Sequence, residues 1–233
     1  MDFSIYKDIL DDCIVRHYSE IDLNWLLGYS LSFKERIELD KYINLITKDS
    51  FIIEYDKPAK MINFILKDLI MLDWDEADGI SKNIPILLLN RFISSEQKIG
   101  SIEAKEMCFK LYETDNGIHA YLISHKINDI GEKTELGLAL CSDLKYIMFS
   151  RKYGSNSRIS RKKMGQFIQK EYFDNGENRV YVGNIKNIDK ELDDLTDLII
   201  KTQKFIVKNN LFFGKYDLQK IKEFVLKNSK SFN

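Results

Sequence analysis

The spacing of apolar residues predicts helices at both ends of the chain. Near the N-terminus, Ile5, Ile9 and Cys13 recur at the interval of one helical turn. Between residues 188 and 228 the same periodicity predicts two amphipathic helices that are interrupted near Gly214. We therefore expect a helical region over residues 1–64 that packs on a central core, and a helical pair over residues 187–233.

Between these ends the pattern changes to short strands that alternate with helices. The predicted order is strand, helix, strand, strand, helix, strand, over residues 69–75, 82–94, 107–112, 118–125, 134–140 and 145–151. Asn116-Gly117 separates the two adjacent strands and is typical of a hairpin turn. The sequence therefore predicts an α+β fold with an RRM-like or ferredoxin-like βαββαβ core over residues 65–186. We expect both helices on one face of the sheet, and the other face free for function or for another layer.

Alternation of side chains along a strand assigns residues to the two faces. In the first core strand, Leu72 and Trp74 share one face, whereas Asp73 and Asp75 share the other. If Asn116-Gly117 is a two-residue turn, Tyr112 pairs with Tyr121. One face of the hairpin then holds mainly polar side chains, namely Lys110, Tyr112, Thr114, His119, Tyr121 and His125. We expect this face to continue the face that carries the two aspartates.

The D-x-D pattern at Asp73 and Asp75 is a candidate metal site. Two carboxylates about 7 Å apart along one strand repel each other unless a cation or water reaches both. Divalent cations held in this way serve phosphoryl and nucleotidyl transfer. The simpler interpretation is a solvated strand end, because Glu76 and Asp78 follow closely. The histidine on the same predicted face favours a functional site.

A basic segment lies within an otherwise acidic chain. Residues 145–170 carry eight Lys and Arg residues and no Asp or Glu; since the whole chain carries −1, the remainder carries −9. Such a segment predicts binding to phosphates or nucleic acid. A solvated loop is the simpler alternative, but Tyr146, Phe149, Tyr153 and Phe167 are interleaved with the charges, as in base-stacking surfaces.

The composition is that of a folded globular protein, with 44% hydrophobic and 30% charged residues. No apolar run approaches the roughly 18 to 20 residues that a membrane-spanning helix requires, and the N-terminus lacks the basic start of a signal peptide. The three cysteines, Cys13, Cys108 and Cys141, are widely spaced and form no C-x-x-C pair. We therefore expect a soluble, intracellular protein without a disulfide framework or a zinc ribbon.

Three stretches occur in order between about residues 65 and 165. They are Met71-Leu72-Asp73-Trp74-Asp75, Thr114-Asp115-Asn116-Gly117-Ile118-His119, and Asp143 followed by the basic residues from Arg151 to Lys162. In this order they resemble the archaeo-eukaryotic primase superfamily. Its RRM-like core carries an hDhD/E strand, a turn that leads to a histidine, and an acidic residue followed by basic positions. The chain departs from that pattern at Thr114, where serine is commoner, and it has no evident zinc-binding insertion.

The resemblance implies a metal-dependent nucleotidyltransferase of primase-polymerase type that acts on DNA or RNA. Its partners would be a single strand or a primer-template and nucleoside triphosphates, and its cofactor Mg²⁺ or Mn²⁺. Asp73, Asp75 and Asp143 would bind the metal and, with His119, would form the catalytic set. His125 is the alternative for the motif histidine. Candidates for binding nucleotide or nucleic acid are Lys110, Tyr121, His125, Arg151, Tyr153, Arg158, Arg161, Lys162 and Lys163.

Two other functions fit the same residues. A noncatalytic replication-accessory protein would use the sheet and the basic segment for binding alone, and a metal-dependent nuclease would use the acids for cleavage. We expect no membrane partner, and the sequence indicates no particular protein partner. Since function resides in the site rather than in the fold, the discriminating observation is whether Asp73, Asp75, Asp143 and one histidine converge.

Overall fold

The chain folds as an α+β protein with antiparallel sheets. The structure, a computed structural model, describes residues 42–57, 61–75, 83–113, 117–143, 146–147, 150, 154–159, 170–171, 180–209, 217–229 and 232. The strands are β1 (Tyr42–Thr47), β2 (Phe51–Asp56), β3 (Met61–Leu66), β4 (Ile70–Asp75), β5 (Lys98–Ile99), β6 (Ile102–Glu103), β7 (Cys108–Glu113), β8 (Gly117–Leu122), β9 (Ser155–Arg158), β10 (Lys170–Glu171) and β11 (Tyr181–Gly183). The helices are α1 (Ile84–Ile93), α2 (Ile130–Ala139), α3 (Lys190–Lys208) and α4 (Leu218–Asn228), and short 3-10 turns cover Ala104–Glu106 and Ile185–Asn187.

Two larger sheets organise the described residues. One has the order β1-β2-β3-β9; the other has the order β10-β7-β8-β4, and β11 also pairs with β7. Each pair of neighbouring strands is antiparallel. Because β8 lies between β4 and β7, the first βαββ part of the predicted core order is present. The short strands β5 and β6 are inserted between α1 and β7.

Three of the four described helices begin at a capping aspartate. Asp129, Asp189 and Asp217 precede α2, α3 and α4, and each side chain accepts a hydrogen bond from a backbone N–H of the first turn. Pro85 lies in the first turn of α1, where a missing N–H costs nothing. The predicted C-terminal periodicity corresponds to α3 and α4, whose buried residues lie on one stripe of each helix.

The second sheet is covered on both faces. Leu72, Trp74 and Phe109 pack in one core cluster with α1 and α2, as the strand parity predicts. Met71 and Tyr121 belong to the opposite cluster, which also contains residues of β2, β3 and α3. The predicted polar face is therefore mostly an interior between two layers, rather than an open surface.

The prediction of a helical region over residues 1–64 is wrong over 42–64. These residues form β1, β2 and most of β3, and residues 1–41 lie outside the described part of the chain. In β2, Phe51 and Ile53 are buried whereas Ile52 and Glu54 are partly exposed, which is the two-residue period of a strand. The abundance of isoleucine and aromatic residues adds β propensity.

The predicted strand over 145–151 is also wrong. Tyr146, Ile147 and Ser150 are helical, and the next strand, β9, pairs with β3 in the other sheet. The edge of β4 that a fourth core strand would occupy is covered by side chains. The Met71 N–H donates to Ser155 Oγ (3.1 Å), and the Asp73 N–H donates to Ser142 Oγ (2.9 Å).

The register of the β7–β8 hairpin differs from the predicted one by two residues. Tyr112 pairs with His119, and Lys110 pairs with Tyr121, while residues 114–116 lie outside the described part. A shift by two residues keeps every side chain on its face, whereas a shift by one would have exchanged the faces. The predicted face assignment therefore survives the change of register.

Among the described helices, none is both long enough and apolar enough to span a bilayer.

Candidate active site

Asp73 and His119 face each other on neighbouring strands. The β4–β8 register pairs them directly, and His119 Nε2 lies 3.1 Å from Asp73 Oδ1. The imidazole side chain is 5% exposed, whereas the Asp73 side chain is 20% exposed, so the carboxylate reaches solvent and the histidine lies behind it. The contact is an ion pair when the imidazole is protonated.

Asp143 joins this pair through the backbone. Its N–H donates to the Asp73 carbonyl oxygen at 2.7 Å. The preceding Ser142 accepts a hydrogen bond from the Asp73 N–H and donates one to the Asp73 carbonyl at 3.1 Å. Residues from three distant stretches therefore meet around Asp73, and Asp143 makes its contact through the backbone rather than through its carboxylate.

The carboxylate of Asp143 has a local structural partner. Asp143 Oδ1 accepts a hydrogen bond from the Tyr146 N–H at 2.6 Å, and the Asp143 carbonyl accepts one from the Ile147 N–H. This is the arrangement of a helix N-cap. Asp143 therefore starts the helical turn that replaces the predicted strand.

The fit to a divalent cation rests on Asp73. Asp73 Oδ1 is buried, and its neighbour His119 Nε2, 3.1 Å away, is not aligned for a hydrogen bond with it. A cation would satisfy such an oxygen. Asp75 follows two residues later, opposite Gly117, and its side chain lies outside the described part. Across the side chains that the structure does describe, no group of three His, Cys, Asp or Glu residues is placed to hold a metal.

A layer of hydroxyl groups lies beside this pair, and no motif in the sequence indicates it. Tyr121 OH is 2.9 Å from Ser157 Oγ, and Tyr146 OH accepts a hydrogen bond from the Asn156 N–H at 2.9 Å. Burial raises the pKa of Tyr146 well above its usual value, and the neighbouring Tyr121 and Asp73 raise it further. The phenol therefore stays neutral and brings no negative charge near Asp73.

Lys110 and Tyr121 lie in the interior, although they were predicted to bind nucleotide or nucleic acid. Both are 0% exposed. The Lys110 Nζ is 2.7 Å from Asp193 Oδ1 and 2.6 Å from Asp197 Oδ1, both on α3. Because both side chains are buried, we leave them out of the proposed site.

The structure separates the two candidate histidines. His125 follows the opposite end of β8 from the end near Asp73, and its Nδ1 is 2.8 Å from Ser124 Oγ. Burial lowers the pKa of His125, and the charge of Glu106 partly opposes this effect. Of the two histidines, His119 is therefore the one that neighbours Asp73.

The basic segment is described only in part. In β9, Arg158 lies opposite Asn63, its Nη1 is 3.7 Å from Met61 Sδ, and its carbonyl accepts a hydrogen bond from Gln203 Nε2 at 2.9 Å. The other predicted binding residues of this segment lie outside the described residues; these are Arg151, Tyr153, Arg161, Lys162 and Lys163.

Comparison of the chain with protein-family models, with curated proteins and with solved structures gave no match.

Proposed function

We propose that the chain is a metal-dependent nucleotidyltransferase of primase-polymerase type, built on an RRM-like core and acting on DNA or RNA. The observation that supports this function is the meeting of Asp73, His119 and Asp143 at one end of β4. The three residues come from separate stretches of the chain, and the backbone bond between Asp73 and Asp143 fixes two of those stretches together.

In this proposal Asp73 and Asp75 hold Mg²⁺ or Mn²⁺, with Asp143 as the third acidic residue. The bound metal would supply activation of a terminal hydroxyl and neutralisation of phosphate charge. The chain itself orients the acids: Ser142 holds the backbone of Asp73, and His119 limits the positions that the Asp73 carboxylate can take. The basic segment over 145–170 would bind the triphosphate or the template.

The test is nucleotide incorporation on single-stranded and primed templates with Mg²⁺ or Mn²⁺. We expect Asp73→Asn and Asp75→Asn each to abolish incorporation and to weaken Mn²⁺ binding measured by calorimetry. Asp49→Asn is the matched control, because it removes an exposed carboxylate from the turn between β1 and β2, outside the proposed site. Equal Mn²⁺ binding by the wild type and by the Asp73→Asn/Asp75→Asn double variant would contradict the proposed metal site.

A noncatalytic nucleic-acid-binding protein is the second candidate. The observation in its favour is that Asp143 Oδ1 caps the turn at Tyr146, a structural role that needs no metal. In the same assay this function predicts salt-dependent binding of the template without incorporation. Metal-dependent shortening of the template would instead identify a nuclease.

A further inference from the structure

Two stacked phenylalanines lie where α3 packs against α4. The ring centroids of Phe205 and Phe224 are 4.1 Å apart, and the ring planes differ by 13°. Both residues are partly exposed. The stacked rings contribute to the packing of α3 on α4, and part of each ring stays exposed to solvent.

Lysines flank both rings. Residues three and four positions apart share one side of a helix, so Lys201 and Lys208 lie on either side of Phe205. Lys220 and Lys227 have the same relation to Phe224. These four lysines are exposed. Aromatic rings among basic side chains are the usual components of a surface that binds single-stranded nucleic acid.

Most acids in the first half of α3 are engaged with other parts of the protein. Asp193 and Asp197 contact the buried Lys110, and Glu191 pairs with Lys126. The two lysines therefore offset two of these three negative charges.

The second half of α3 is basic. After Asp197 the helix contains Lys201, Lys204 and Lys208 and no acidic residue. Within the described chain, no carboxylate lies within ion-pair distance of these three lysines. A lysine in the last turn stabilises a helix end, which accounts for Lys208 but not for the other two.

Helix α3 also forms a hydrogen bond with β9, which is part of the basic segment. Gln203, which is 2% exposed, donates a hydrogen bond from Nε2 to the carbonyl of Arg158 in β9. Lys201 and Lys204 are near neighbours of Gln203 along α3, so the basic half of the helix lies close to one point of the basic segment. Arg158 is the one predicted binding residue of that segment whose position the structure describes.

We propose that α3 and α4 form a second contact for single-stranded nucleic acid. Lys201, Lys204 and Lys208 bind backbone phosphates, and the exposed parts of Phe205 and Phe224 contact bases. This inference rests on the nucleic-acid partner of the proposed function and not on its chemistry, because binding here requires neither metal nor catalysis.

The test compares two triple variants with equal loss of charge. In the first, Lys201, Lys204 and Lys208 are each replaced by Gln; in the control, the exposed Lys57, Lys98 and Lys186 are each replaced by Gln. Binding of a labelled single-stranded oligonucleotide is measured by fluorescence anisotropy across a salt series with a chelator present. Circular dichroism checks that both variants fold.

We expect the first triple variant to flatten the log-log salt dependence by about two units, since each neutralised phosphate contributes about −0.7 on a single strand. The control should keep the slope of the wild type. Phe205→Leu should lower affinity by about fivefold with an unchanged slope; an unchanged affinity would remove base contact from the proposal.

Two results would overturn the second contact: equal slopes for the two triple variants, or no binding by the wild type at low salt. Nucleotide incorporation measured in parallel keeps the two proposals separate. A chain that binds through these lysines but incorporates no nucleotide contradicts the proposed catalysis alone. A chain that incorporates nucleotide with equal slopes for both triples contradicts the second contact alone.

Discussion

Lys110 of β7 and Asp197 of α3 meet in the interior, with 2.6 Å between Nζ and Oδ1. Asp193 lies 2.7 Å from the same ammonium group. The Lys110 side chain is fully buried, whereas both carboxylates keep some contact with solvent. An ammonium removed from water is costly unless it is paired. The two aspartates therefore hold α3 against the sheet that contains β7.

We expect Lys110→Met to lower the free energy of unfolding by about 3 to 5 kcal/mol, because it leaves two neighbouring carboxylates without their cation. Urea denaturation measures the change. Combining Lys110→Met with Asp193→Asn and Asp197→Asn should recover part of the loss. Lys105→Met, at an exposed ion pair with Glu103, is the control and should leave the midpoint near that of the wild type. A Lys110→Met midpoint equal to that of the control would refute this role.

Replacing Ser142 should lower the stability of the protein more than replacing a partly exposed serine that makes a similar set of hydrogen bonds. It is 0% exposed and bonds both backbone groups of Asp73. We expect Ser142→Ala to cost about 1 to 3 kcal/mol, because the Asp73 N–H loses its hydrogen-bond acceptor. The Asp73 carbonyl keeps the bond from the Asp143 N–H. Ser95 also bonds two backbone groups but is partly exposed, so Ser95→Ala is the matched control. Equal thermal stability of the two variants would contradict the expectation.

Trp74 combines a buried ring with one directed bond. It is 1% exposed, and its Nε1 donates to the Leu140 carbonyl at 2.9 Å. Trp74→Ala should destabilise the protein by about 3 to 5 kcal/mol, as large core truncations do. Trp74→Phe keeps much of the packing but loses the bond, so we expect a cost of about 1 to 3 kcal/mol. Chemical denaturation of both variants tests the order; a Trp74→Phe variant as stable as the wild type would show that the bond contributes nothing.

Glu54 should make stability depend on pH in an unusual direction. Burial raises its pKa, and the charge of Asp56 raises it further. The folded state therefore binds this proton more tightly than the unfolded state does, and stability falls as the pH rises above the ordinary carboxyl pKa. We expect Glu54→Gln to raise the Tm at neutral pH, and the gain to vanish below the ordinary carboxyl pKa. Glu135→Gln, at an exposed position of α2, is the control; a gain that persists in acid would contradict the assignment.

The sequence could predict the faces of the central strands but not their register. Trp74 and Asp73 lie on the predicted faces because side-chain parity is fixed by the backbone. The Asn116-Gly117 pair favoured a two-residue turn, yet Gly117 lies within β8 opposite Asp75. Both registers give the same pattern of apolar and polar faces, so nothing in that pattern could choose between them.

The burial of Lys110 depends on residues that are far away in the sequence, so local sequence patterns could not predict it. The acids that bury Lys110 lie 83 and 87 residues away along the chain. No local pattern links such positions, so a lysine on a polar strand face predicts a binding residue, whereas the structure buries it against two aspartates. The grouping of Asp73 with His119 was predictable because a hairpin and one neighbouring strand suffice to bring them together.

The hydrogen bonds along the free edge of β4 also affect whether two copies of this chain can associate by pairing their strands. A strand edge with open N–H groups invites the addition of a strand from another molecule, which leads to aggregation. Here the N–H groups of Met71 and Asp73 already donate to the hydroxyls of Ser155 and Ser142. Strand addition on this side is therefore blocked by two small side chains, and the Asp73 carboxylate beside them keeps a partial contact with solvent.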